Sequence, residues 1–419
     1  MKNLSKQHRD ALLRRIDDRS MVILYSGEAP HKTTDQYYFF TPNKNFHYLT
    51  GLMEQKMKLV LIKDGTTKKC YLFIEETTEY MRQWVGERMS KEEASEISGI
   101  DVKNIKYLSE FDTFIDRVMG YKRGLAVRVP KHLYLDLYRP RPMDEALSLS
   151  VFSDIIKNYK ELNIMSVNEH LSYLRMFKDA YELSQLQEAI DITDKGLKRV
   201  MDELANRDNE QQIEADFLHE ITLRGATTNS FNTIAASGKN ATVLHYENNN
   251  EPLEDGNLIL LDLGALYNNY GADISRTYPI NGTFSKRQKA LYNIVLDVNK
   301  ATIDYVKPGL SWDDLNAFAK DLLAEKCMDI GLIDNKEDIK KYYYHSIGHF
   351  LGLDVHDVGH YIETLQEGMV LTIEPGLYVK EENIGIRIED NILITKEGAK
   401  NLSQHIIKEV DDIEAYMKK

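Results

Sequence analysis

Two twelve-residue segments, LEDGNLILLDLG (253–264) and LQEGMVLTIEPG (365–376), align without a gap. Each reads Leu, any residue, an acid and Gly, then a mostly apolar run that ends in acid, any residue, Gly. Asp262 and Glu374 are thus equivalent, 112 positions apart. Self-similarity at a fixed offset marks a duplicated structural unit. Helical stretches precede both copies, about 181–205 and 210–224 before the first and about 285–306 and 311–329 before the second. Leu183, Leu186, Ile190, Leu197, Val200 and Leu204 recur at steps of three and four or their multiples, the period of an amphipathic helix. In KPGLSWDD, Gly309 ends one helix, and Ser311 with Asp314 caps the next. Two copies of helix, helix and antiparallel strands predict an α+β domain whose halves face each other across a pseudo-twofold axis, with a cleft between them.

A chain of 419 residues exceeds one ordinary core, so a second domain is expected. The strand-like runs MVILY (21–25), MKLVLI (57–62), KCYLFI (69–74) and GLAVRV (124–129), with a helix over SEFDTFIDRVM (109–119), predict a smaller α/β domain. The boundary is placed to give an N-terminal domain over 1–168 and a C-terminal domain over 169–419. The first eighteen residues read as a charged helix and lack the apolar run of a signal peptide. No stretch approaches 18 apolar residues, so no membrane span is expected. Cys70 and Cys327 lack metal-ligand spacing, and Cys70 reads as a small core residue. The expected compartment is the cytoplasm. A net charge of −13 disfavours nucleic acid or an anionic membrane as main partner, and suits small substrates or sites that hold cations.

The acids of the repeat carry the chemistry. In LILLDLGALYNNYGADISRTYP (258–279), a two-residue Asn268-Asn269 turn pairs 267 with 270, 264 with 273, and 262 with 275. Asp262 and Asp273 then share a face as diagonal neighbours, with backbones roughly 7–8 Å apart. Buried carboxylates cost several kcal/mol unless paired. The second copy adds Glu374 and, in IGIRIEDNILI, Glu389; Arg387, two residues earlier, can orient the acids. Between the copies, HSIGHFLGLDVHDVGH (345–360) holds four histidines without the H-E-x-x-H zinc pattern. His245 precedes the Gly of the first copy by eleven residues and His356 that of the second by twelve, which puts a histidine on each side of the cleft. Carboxylate-rich ligation with one imidazole suits Mn²⁺ first, with Co²⁺, Zn²⁺ or Fe²⁺ also compatible. Four carboxylates are neutralised by two divalent ions, which favours a dinuclear centre.

HYENNNEPLEDGNLILLDLGALYNNYGADISRTYP, HSIGHFLGLDVHDVG, EPGLY and GIRIEDNILIT together resemble the Xaa-Pro aminopeptidases (aminopeptidase P) of the creatinase/prolidase/methionine aminopeptidase superfamily of "pita-bread" metallopeptidases. YYFFTPNKNFHYLTG (37–51) resembles the N-terminal domain of that family, so the likeness covers nearly the whole chain. It implies that Asp262, Asp273, His349, Glu374 and Glu389 ligate two ions, usually manganese, with Asp273 and Glu389 bridging. It also implies substrate-binding and proton-handling roles for His245, His345 and His356, and a supporting role for Arg387. The activity implied is hydrolysis of the bond between an N-terminal residue and a following proline. A hydroxide shared by the ions attacks, and Glu374 handles the proton. Homodimers or homotetramers are implied as well. Prolidase, acting on Xaa-Pro dipeptides, is the alternative within the superfamily; a catalytically silent pita-bread binding protein is the alternative outside catalysis.

Overall fold

The apolar runs of the first third of the chain pair into one mixed sheet. The computed structural model describes residues 2–120, 126–139 and 141–418, which divide into two units, Met1–Leu174 and Arg175–Lys419. In the first unit the charged N-terminal segment is helix α1 (Lys2–Arg15). The sheet contains β1 (Ser20–Tyr25), β2 (Lys58–Asp64), β3 (Thr67–Ile74), β4 (Ile105–Tyr107), β5 (His132–Leu135) and β6 (Asn163–Ser166), in the order β4-β3-β2-β1-β5-β6. β2 is antiparallel to both β1 and β3, and the outer pairings are parallel. Alternate residues Met21, Ile23, Val60, Ile62, Tyr71 and Phe73 share a core with Phe111, Phe114, Ile115 and Val118 of helix α2 (Phe111–Met119).

The strand expected over 124–129 does not form. Residues 124 and 125 lie outside the described residues, and 126–129 carry no strand. Side chains take the backbone groups that a ladder would use. Asp64 accepts from the Arg128 N–H at 2.7 Å, and Arg19 donates to the Val129 carbonyl at 2.7 and 3.1 Å. The strand falls instead at HLYL, β5. Cys70 is half-buried rather than fully in the core.

The second unit repeats one element order. Helices α3 (Ala180–Glu203) and α4 (Glu210–Leu223) precede β7 (Ile234–Ser237), β8 (Leu258–Leu263), β9 (Ala265–Tyr267), β10 (Tyr270–Gly271) and β11 (Ile274–Pro279). Helices α5 (Lys286–Tyr305) and α6 (Trp312–Asp329) precede β12 (Val370–Ile373), β13 (Gly376–Val379), β14 (Ile384–Arg387) and β15 (Asp390–Ile394). Ser311 caps α6, its Oγ accepting from the Asp314 N–H at 3.0 Å.

The hairpin of the first copy has the expected register: Tyr267 faces Tyr270, and Asp262 faces Ser275. Asn268 (φ 47°) and Asn269 (φ 67°) supply the left-handed turn. The ladder, however, is broken halfway. β8 and β11 belong to a sheet with β7, whereas β9 and β10 pair with Thr228–Asn229. The break lies at Gly264, where a Cβ would stand 1.8 Å from the Ala272 carbonyl oxygen. Asp273 therefore sits in a gap between β10 and β11, not within a strand as expected. The second copy has matching gaps, with Glu374 between β12 and β13 and Glu389 between β14 and β15.

Hydrogen bonds join the two halves. The Glu389 N–H donates to the Ser275 carbonyl at 3.0 Å. The wholly buried Arg276 donates to the carbonyls of Ser275 and Glu389, at 2.9 and 2.6 Å, and to the Asp390 carboxylate at 2.9 Å. Among the described residues, no helix is long and apolar enough to cross a membrane.

Candidate metal centre

The gaps in the two ladders open onto one cavity of about 230 Å³. All nine site residues expected from the sequence line it: His245, Asp262, Asp273, His345, His349, His356, Glu374, Arg387 and Glu389. Donor atoms of Asp262, Asp273 and Glu389 lie within 4.8 Å of one another, as do those of His349, Glu374 and Glu389. Glu389 belongs to both groups. His356 also reaches the cluster, in a group with Asp273 and His349. The His349 Nε2 stands 3.3 Å from Asp273 and 3.7 Å from Glu374. Its Nδ1 donates to the Phe350 carbonyl at 3.0 Å, so Nε2 is the nitrogen that faces the acids.

The position of His349 follows from its neighbours. Its backbone N–H donates to Thr372 Oγ1 at 3.1 Å, and its carbonyl accepts from the Thr372 N–H at 2.9 Å. A Cβ on the preceding Gly348 would meet the Thr372 carbonyl at 1.9 Å, so only glycine lets the histidine segment lie against β12. Asp273 is fixed by Asn391, whose amide donates to the Asp273 carbonyl at 2.5 Å and accepts from its N–H at 3.3 Å.

Arg387 anchors the acids. It donates to Asp262 at 2.6 Å, to Ser275 Oγ at 2.8 Å and to the Tyr378 hydroxyl at 3.0 Å. Ser275 Oγ lies 3.0 Å from Asp262 and 2.7 Å from Glu389. Tyr378 in turn lies 2.8 Å from His345 Nε2. Since His345 Nδ1 donates to the Ser346 carbonyl at 2.8 Å, Nε2 accepts from the tyrosine. Ser275, Thr372, Tyr378 and Asn391 were not among the residues expected from the sequence. Serine, threonine, tyrosine and asparagine in strands carry no pattern that separates a site from a ladder. One signal was available: Tyr378 and Ser275 each lie two or four residues from a repeat acid, on the acid's side of the strand.

The electrostatics show what the cluster lacks. Burial first, then Asp273, Glu374 and Asp262, raises the Glu389 carboxyl well above its ordinary range. Burial also raises Asp273, with Asp262 adding to it, and pushes Glu374 up to about 7 against the pull of His349 and Arg387. Burial alone would lower the His349 imidazole, yet Asp273 and Glu374 push it up to about 9. Arg387 alone therefore does not balance the massed carboxylates, and divalent cations fit this donor set by charge and by chemistry. Two other histidines of the cavity shift the opposite way. Burial, then Arg387, pushes His345 down to about 4, and burial, then His349, does the same to His356.

Comparison with known proteins agrees with this architecture. Residues 184–396 match the model of Metallopeptidase family M24, and residues 5–126 match that of the Aminopeptidase P N-terminal domain. A Xaa-Pro aminopeptidase of Haemophilus influenzae is 32% identical over 98% of this chain and 96% of its own length. Xaa-Pro aminopeptidase 1 of Streptomyces coelicolor is 31% identical over 94% of this chain and 83% of its own. Among solved structures, Escherichia coli aminopeptidase P with the inhibitor Pro-Leu superposes with a TM-score of 0.90 at 28% identity, covering 100% of this chain and 98% of that one. Proline aminopeptidase P II from Yersinia pestis does so with a TM-score of 0.89 at 29% identity, covering 100% and 99%. The duplicated α+β unit is thus the pita-bread domain, and the smaller unit before it is of the aminopeptidase P N-terminal kind. A cavity of carboxylates built by two half-domains, in a chain that matches this family at both ends, leads to one conclusion: the protein is a metallopeptidase and belongs to family M24.

Proposed function

We propose that this chain is a Xaa-Pro aminopeptidase, which removes the first residue from peptides whose second residue is proline. The observation that carries the reading is the convergence of four carboxylates and one imidazole from both halves on one cavity. The names of full-length relatives support the specificity. Asp262, Asp273, His349, Glu374 and Glu389 would hold two divalent ions, Mn²⁺ first among them. Such ions supply Lewis acidity, polarising a scissile carbonyl and acidifying an attacking water.

The chain's own groups do the rest. Glu374 stands 3.8 Å from His345 and 3.7 Å from His349, and it takes the proton from water and passes it to the departing proline nitrogen. That nitrogen, in a tertiary amide, carries no N–H of its own. The neutral imidazoles of His345 and His356, with His245, bind the substrate by hydrogen bonds and ring contact rather than by charge. Arg387 fixes Asp262, and through Tyr378 it fixes the tautomer of His345. Apart from Arg387, which is committed to Asp262, no lysine or arginine lines the cavity among the described residues. A dipeptide's terminal carboxylate would therefore find no lysine or arginine free to receive it. This favours longer peptides over the dipeptides that a prolidase cleaves.

The domain division proposed is an N-terminal domain over 1–168 and a catalytic domain over 169–419, acting as a homo-oligomer in the cytoplasm. Hydrolysis of Xaa-Pro and Xaa-Pro-Yaa peptides, assayed with added Mn²⁺ and with a chelator, tests the function. Metal-dependent release of the first residue from Xaa-Pro-Yaa is expected. Turnover confined to dipeptides would establish prolidase instead, and turnover of neither, with no metal bound, would mark a silent binding protein.

A further inference from the structure

A second cavity, of about 370 Å³, lies wholly within the first unit. Its volume is in the range of small-molecule sites. One wall is α1, which places Lys6, Arg9, Asp10 and Leu13 at steps of three and four, on one face of the helix. The other wall is the sheet, where Leu61 of β2 faces Cys70 of β3 across the ladder. Lys68, two residues before Cys70, shares that face. Gly99 and Ile100, which follow the helix Lys91–Ser98, also line the cavity.

The lining runs against the charge of the chain. The chain carries −13, yet Lys6, Arg9, Lys68 and Lys69 outnumber the two acids of this cavity, Asp10 and Asp101. Asp101 is paired at 2.8 Å with Lys103, outside the lining, and Asp10 stands 3.9 Å from Lys68. Arg9 is only 4% exposed. Among the described residues no carboxylate pairs with it; its terminal nitrogens donate to the Leu49 and Ser98 carbonyls, at 2.7 and 3.0 Å, at the ends of two helices. Those carbonyls hold the guanidinium in place but bring no full negative charge. Burial accordingly pulls Arg9 below its ordinary value. The remaining surface is apolar: Leu13, Leu61 and Ile100 are buried. Burial pushes the Cys70 thiol up to about 11, so at neutral pH it adds no charge.

We infer that this cavity binds a small organic phosphate, its phosphate group against Lys6, Arg9 and Lys68 and its apolar body against Leu13, Leu61 and Ile100. Four cations against two acids leave two positive charges in excess, which the dianion of a phosphate monoester neutralises. The ligand is a free small molecule, since a chain of net charge −13 is repelled by an anionic membrane surface.

The test titrates phenyl phosphate calorimetrically into the full-length, manganese-loaded protein and its K6E/K68E variant. Both lysines are exposed and neither lines the metal cavity, so peptide hydrolysis and melting temperature should match the wild type. We expect the variant to bind phenyl phosphate at least about tenfold more weakly, because the excess charge is reversed. Inorganic phosphate lacks the apolar body and benzoate carries a single charge, so each should bind the wild type at least about fivefold more weakly. Cys70 reports the location. Cys327 is buried, so N-ethylmaleimide reacts first at Cys70. Phenyl phosphate at about twice its Kd should slow that reaction about threefold in the wild type, and the same concentration should leave it nearly unchanged in the variant. Should K6E/K68E fail to fold, K6Q/K68Q removes the excess charge without reversing it. No binding, equal affinity in wild type and variant, or Cys70 labelling that phenyl phosphate does not slow would overturn the site. Benzoate binding as tightly as phenyl phosphate would overturn the choice of a phosphate.

Discussion

At the scale of single residues, the buried acids divide into those that face the cavity and those that hold its walls. Glu374 faces the cavity. Glu374→Gln keeps the shape and one donor oxygen but cannot shuttle a proton. Turnover should fall by about 10³-fold or more, while metal analysis still finds ion in the protein; near-normal activity would remove Glu374 from its role. Glu210 holds a wall. It is wholly buried and accepts from the Ser237 N–H and Oγ, Asn240, the Tyr246 hydroxyl and the Glu251 N–H. These donors belong to the segment that carries His245. Glu210→Ala leaves several of them buried and unpaired, so a loss of about 2–4 kcal/mol is expected in denaturant titrations. The two kinds of acid differ in legibility. Asp262, Asp273, Glu374 and Glu389 are conspicuous because apolar strand residues surround a repeated position. Glu210 sits in the first turn of α4, where an acid is ordinary helix chemistry, and only the folded loop reveals its five donors.

At the scale of elements, the hairpin shows how far sequence pattern reaches. A two-residue Asn-Asn turn leaves one register, so the Asp262–Ser275 pairing follows from the sequence alone. The break at Gly264 does not, because it depends on a close approach to Ala272 that no local pattern encodes. Gly264→Ala places a methyl group against a backbone carbonyl that cannot swing away. Destabilisation of at least about 2 kcal/mol is expected, with loss of bound metal, since Asp273 lies next to the displaced carbonyl. Unchanged stability and metal content would show that the ladder can close without harm to the site. The misplaced strand over 124–129 has the same lesson. AVRV alternates as a strand should, but Arg19 and Asp64 occupy its backbone groups, and those partners are more than sixty residues away in the chain.

At the scale of the whole molecule, acid acts on the site and on the fold at different pH. Asp273, Glu374 and Glu389 are raised, so they regain protons early as pH falls, and protons then compete with metal. Asp357 and Asp390 behave oppositely. Burial opposes their ionisation, but Arg175 and Lys178 hold Asp357 below its ordinary value, and Arg276 with Lys408 holds Asp390 lower still. A carboxyl depressed in the folded state stabilises the fold above its unfolded pKa, and that contribution is lost as pH falls through the folded value. Metal should therefore leave at a higher pH than the one at which the fold is lost. Metal content and circular dichroism measured across one pH series check this, and coincident transitions would contradict it. At neutral pH a chelator should lower the melting temperature, because ligands bound only to the folded state stabilise it.

The division of the donor set has a consequence for descent. Asp262 and Asp273 come from the first copy of the repeat, and His349, Glu374 and Glu389 from the second. One copy alone supplies too few donors to enclose a pair of ions. A half-length forebear could have bound them only by meeting a second copy of itself, with identical acids across a true axis. In this chain the equivalent positions differ, a short aspartate in strand β8 and a longer glutamate after β12, so the two sides of the cavity are not interchangeable.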